Sequence, residues 1–107
     1  MPAVIGVTEV STYFLTPSNG DKIRLNSEIS IEGRIDCKDL MSGWKISIKS
    51  KSTGEILDEY TDIYEQTFYT FHHHWLALQT GEFVITVEAL DKDLNSLSQH
   101  SVIIEAV

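Results

Sequence analysis

Apolar and polar residues alternate with a period of two in several short runs along the chain. Ile29, Ile31, Gly33 and Ile35 share one phase, with Ser30, Glu32 and Arg34 on the other. Trp44, Ile46 and Ile48 alternate with Lys45, Ser47 and Lys49, and Phe83, Ile85, Val87 and Ala89 alternate with Val84, Thr86 and Glu88. Near the end, Val102 and Ile104 alternate with Ser101, Ile103 and Glu105. Successive side chains of a strand point to opposite faces, so each run reads as a strand with one buried face. No segment carries a sustained 3.6-residue period with caps, and no helix is predicted.

Turn chemistry separates the runs. Thr16-Pro17-Ser18-Asn19-Gly20-Asp21, Ser42-Gly43, Ser52-Thr53-Gly54, Thr80-Gly81 and Asp91-Lys92-Asp93-Leu94-Asn95-Ser96 all carry turn-forming residues. Strands are expected near 12–16, 28–36, 43–51, 55–61, 66–72, 82–90 and 97–105. Seven short strands at this spacing predict an all-β protein, a seven-stranded immunoglobulin-like β-sandwich with Greek-key connections. Residues 11–107 would form the domain, and residues 1–10 a flexible segment or a short additional strand. The third and sixth strands are neighbours in that fold, which sets Lys45 and Lys49 on one solvent face with Glu88. The phase assigns Trp44 to the core and leaves Trp75 open between core and surface.

Composition narrows the function classes. A chain of 107 residues with 42% hydrophobic content is one domain, large enough to bury a core without metals or disulfides. The net charge of −8 argues against nucleic acid and anionic lipid as partners, since both need clustered Lys and Arg. The single cysteine, Cys37, excludes an intramolecular disulfide and has no neighbour at metal-ligand spacing, so it reads as a small core or loop residue. No stretch is long and apolar enough to insert as a membrane span. Met1 to Val7 lacks the basic and apolar regions of a signal peptide, which fits either a cytoplasmic protein or one whose leader lies outside this sequence.

Three segments are candidates for chemistry. In Phe71-His72-His73-His74-Trp75 an extended backbone puts His72 and His74 on the same side with Cβ atoms about 7 Å apart, within reach of one zinc or copper ion. Two ligands alone bind weakly, so a third is needed: His73 would point away, and neither His100 in the last strand nor the carboxylates of segment 55–65 are placed by sequence. The plain alternative is a polar strand end with exposed imidazoles. Asp91, Asp93 and Asn95 have the alternating oxygen spacing that suits calcium, yet Ser96 and Val102 stand where an EF-hand needs Gly and Glu, and the same residues are favoured in simple turns. Glu55, Asp58, Glu59, Asp62 and Glu65, interleaved with Tyr60, Ile63 and Tyr64, suit a sugar or cationic partner, or an edge strand charged against aggregation. There is no G-x-S-x-G, no HExxH and no glycine-rich phosphate loop, so catalysis is not expected.

The turn Thr16-Pro17-Ser18-Asn19-Gly20 and the run from Gly81 to Asn95 (G-x-F-x-I-x-V-x-A-x-D-x-x-x-N) resemble bacterial extracellular immunoglobulin-like and cadherin-like modules over roughly residues 14–105. Leu94 stands where such domains often carry Gly. Thr70-Phe71-His72-His73-His74 followed by Gly81-Glu82-Phe83 is similar to a narrower group, Bacteroidetes lipoproteins of unknown function with a T-F-H-x-H strand end. His72 and His74 are the matching histidines; Trp75 and Phe83 depart from the usual aliphatic residue and Tyr, and the loop lacks the expected Pro. The resemblance implies export to the periplasm or cell surface, with a lipid anchor on a cysteine outside this sequence. Three expectations follow: an exported, non-catalytic binding or adhesion module with a protein or glycan partner; a zinc- or copper-binding protein using His72 and His74; or a structural spacer of a larger surface protein.

Overall fold

The computed structural model describes residues 9–107. The predicted strands form where the alternation places them: β1 (Val10–Thr16), β2 (Lys22–Ile23), β3 (Glu28–Met41), β4 (Gly43–Ser50), β5 (Ile56–Asp62), β6 (Gln66–Leu76), β7 (Gly81–Leu90) and β8 (Ser96–Ala106). They make a three-stranded sheet, β1-β3-β6, packed on a five-stranded sheet, β2-β8-β7-β4-β5. The connections β3–β4, β5–β6 and β6–β7 each pass between the sheets, and β7 returns beside β4, as a Greek key requires. The fold is therefore the expected immunoglobulin-like sandwich.

There are eight strands among the described residues, one more than expected. The addition is β2, two residues that pair in parallel with β8, Lys22 opposite Glu105 and Ile23 opposite Ala106. Two residues are too few to show a period. What holds β2 is the preceding turn: the Ile103 amide donates to Asn19 Oδ1 at 2.8 Å, and the Gly20 amide donates to the Ile103 carbonyl at 2.7 Å. The turn and β2 cover part of the β8 edge that would otherwise offer unpaired backbone groups. The strand expected over 28–36 runs on to Met41, and that expected over 66–72 runs on to Leu76. Of the predicted N-terminal segment, residues 1–8 lie outside the described residues, while Val10 already belongs to β1, opposite Cys37.

The core is built from the inward phase of both sheets. Ile31, Ile35, Tyr69, Phe71 and Trp75 come from the smaller sheet, and Trp44, Ile46, Ile48, Phe83, Ile85, Val87, Val102 and Ile104 from the larger. Trp44 is buried as its phase requires, and Trp75 proves to be core as well, edge-on to Phe83 with ring centres 5.0 Å apart. Lys45 lies directly across from Glu88 on the outer face of the larger sheet. Cys37 is half-buried against the core.

Gly33 marks a close approach in the smaller sheet. A Cβ there would stand 2.2 Å from the Tyr13 carbonyl oxygen and 2.4 Å from Phe71 Cζ. Backbone on one side and a packed ring on the other leave no room to yield. Gly33→Ala is expected to destabilise the domain by about 2–3 kcal/mol, a drop in melting temperature on the order of 10–20 °C by calorimetry. An unchanged melting temperature would mean that the two strands can part.

Candidate functional site

β6 is the edge strand of the smaller sheet, and its phase is fixed by the rings it buries. Tyr69, Phe71 and Trp75 turn inward, so Phe68, Thr70, His72, His74 and Leu76 must face outward. His72 and His74 are both exposed, with ring centres 4.6 Å apart and planes tilted by 50°. β3 supplies their neighbours, since Glu32 pairs with His72, Ser30 with His74 and Glu28 with Leu76. His74 Nδ1 lies 3.4 Å from Ser30 Oγ and 3.8 Å from Glu28 Oε1.

The other two histidines go elsewhere. His73 has the inward phase and reaches the larger sheet, where Nε2 lies 2.7 Å from Asp58 Oδ2 of β5 and its ring stacks on Tyr60 with centres 5.8 Å apart. Its side chain is 18% exposed, against 53% for His74. His100 sits on the opposite side of the sandwich, tilted against Phe14 of β1 with centres 5.6 Å apart. The structure brings together His72 and His74 and separates both from His73 and His100. Among the described residues, no three His, Cys, Asp or Glu side chains gather as a set of metal ligands.

The other sequence candidates have local roles. Asp91 Oδ1 accepts from the amides of Asp93 at 2.9 Å and Asn95 at 2.8 Å, so one carboxylate oxygen of the D-x-D-x-N run closes its own turn. Segment 55–65 contains β5, the edge strand of the larger sheet, with Tyr60, Ile63 and Tyr64 exposed. Two of its five carboxylates are paired across strands, Asp58 with His73 and Glu59 with Lys45 at 3.2 Å. The Tyr69 hydroxyl donates to the Tyr64 carbonyl and ties the following loop to the sandwich; burial pushes the Tyr69 phenol above its ordinary value.

Sequence reasoning missed the outer face of the smaller sheet as a surface in its own right. Tyr13 (55% exposed) lies opposite Arg34, and Leu15 (68%) and Phe68 (44%) are also exposed. Arg34 lies over the Phe68 ring, 4.4 Å from its centre, while its Nε donates to both oxygens of Asp36 at 2.8 and 3.0 Å. The signal was the outward phase of Tyr13, Arg34 and Phe68, readable once the three strands are known to be neighbours. A separate apolar cleft of about 370 Å³ opens at the β5/β6 side, lined by Leu57, Trp75, Leu76, Leu78 and Gln79.

Two predictions follow from this geometry. In a double-mutant cycle, His73→Ala and Asp58→Ala are expected to show a coupling of about 1 kcal/mol in denaturant unfolding, since the pair joins the open edges of the two sheets; additive effects would remove that role. Leu94 holds φ 64°, a left-handed conformation costly for a side chain with a Cβ, in the slot where the resembling modules carry Gly. Because Leu94 is exposed, Leu94→Gly is expected to stabilise the domain by about 0.5–1 kcal/mol in the same assay.

No family model matches the sequence, and no curated protein matches it. Among solved structures, the chain is similar over 92% of its length to fibronectin(III)-like modules of Clostridium thermocellum CbhA, with a TM-score of 0.63 and 19% identity, and spans 47% of that chain. It is also similar over 94% of its length to the CARDB domain of a Pyrococcus furiosus protein, determined in complex with di-metal ions, with a TM-score of 0.55 and 13% identity, and spans 85% of that chain. At these identities the likeness is one of fold, and it supports an immunoglobulin-like module.

Proposed function

We propose that this chain is a non-catalytic binding module, exported to the periplasm or cell surface, that engages a protein or glycan partner through the outer face of its three-stranded sheet. The observation that carries the reading is the exposed group of Tyr13, Leu15 and Phe68 with Arg34 laid over Phe68. An aromatic and apolar group on a sheet face suits a partner that offers flat apolar surface. The Arg34–Asp36 pair beside it supplies donors and acceptors at fixed geometry. Export rests on the resemblance to extracellular modules and on a fold like that of the fibronectin(III)-like modules.

Binding of the tag-free protein to an array of glycans and surface-protein ectodomains tests the reading, with Tyr13→Ala/Phe68→Ala as the comparison. The double variant removes exposed side chains and is expected to keep the wild-type melting temperature within a few degrees while losing at least about tenfold in affinity for any captured partner. Undiminished binding by the variant would move the interface to another face. A wild-type protein that binds nothing would favour the alternative, a structural spacer within a larger surface protein.

A further inference from the structure

We propose that His72 and His74 form a two-imidazole site for a divalent transition-metal ion, with zinc and copper as the fitting class, open to solvent on its outer side. The inference goes beyond the binding reading and does not depend on it. Both rings project from alternate positions of one strand, so the backbone holds them side by side. Their centres stand 4.6 Å apart. A metal–nitrogen bond of about 2.0–2.1 Å plus about 1.1 Å from nitrogen to ring centre puts two imidazoles that share an ion at about 4.5–5.2 Å, for angles of about 90–110°. The observed spacing falls in that range without movement of the chain.

The flanking strand chooses the nitrogen. Ser30 Oγ and Glu28 Oε1 both stand at His74 Nδ1. A hydrogen bond from Nδ1–H to Ser30 Oγ leaves Nε2 as the free lone pair, and the Glu28 carboxylate at 3.8 Å favours the proton on Nδ1 by its charge, an outer contact of the kind that orients metal-binding histidines. Glu32, across from His72, adds a second acidic group to the same face. Glu28 and Glu32 raise the local attraction for a cation and satisfy part of its charge. With two protein donors the ion keeps further coordination positions for water or for a donor from a partner, so micromolar rather than nanomolar affinity is expected.

The experiment is a titration of tag-free protein with zinc chloride, and separately copper chloride, at neutral pH. It is read by calorimetry and by the imidazole nitrogen resonances of the four histidines. The expected result is saturable binding centred on His72 and His74, with His74 Nε2 as the nitrogen that shifts. His72→Ala/His74→Ala should abolish it, and His100→Gln should leave it intact. Glu28→Gln/Ser30→Ala should weaken it by about tenfold or more without changing the melting temperature of the ion-free protein. Binding that survives His72→Ala/His74→Ala, shifts spread without saturation over all four histidines, or no saturable binding below about 1 mM would each overturn the proposal.

Discussion

Phe71 lies at the centre of the packing between the two sheets. Its ring meets Phe14 edge-on with centres 5.4 Å apart and Trp44 at 6.0 Å, and it fills the space that Gly33 leaves by having no side chain. Phe71 can turn inward only because the facing position is glycine. A strand has a side-chain period of two, so this one inward ring sets the direction of every other residue of β6. His72 and His74 are sent to solvent, and His73 is sent toward the opposite sheet. A slip of one residue would bury the pair and expose the rings, at a cost of several kcal/mol in lost apolar burial.

The same residue type therefore serves three different ends. His73 closes one open side of the sandwich by reaching Asp58 and stacking on Tyr60. His100 packs on Phe14 at the other side. His72 and His74 stand together on the outer face, and their two rings are carried by a strand that the core already fixes in place. A site on a rigid strand needs less ordering on binding than one on a loop.

The acidic balance of the chain is also distributed by the fold. On the outer face of the larger sheet Lys45 finds Glu59, and just past the end of β4 Lys51 reaches Glu82 of β7 at 3.7 Å. Exposed pairs of this kind stabilise little. They do show that segment 55–65, which has no cation of its own, draws one from the neighbouring strand. On the smaller sheet Arg34 is shared between Asp36 and the Phe68 ring. That arrangement gives the outer face its mixture of apolar and polar groups.

Seven of the strands, the inward phase of the alternating runs and the sandwich class were legible in the sequence, because alternation records which face of a sheet each side chain occupies, while Trp75 stayed open between core and surface. The period of two also placed His72 and His74 side by side and His73 opposite, since that follows from backbone geometry within one strand. Alternation carries no record of which strand lies next to which. The meeting of His73 with Asp58, the Glu28 and Ser30 flank of His74, and the group of Tyr13, Arg34 and Phe68 were decided only when β1, β3 and β6 came together and β5 closed against them. The two-residue β2 was hidden for a related reason: its place is set by the hydrogen bonds of a turn to β8, far along the chain, and not by any pattern of its own.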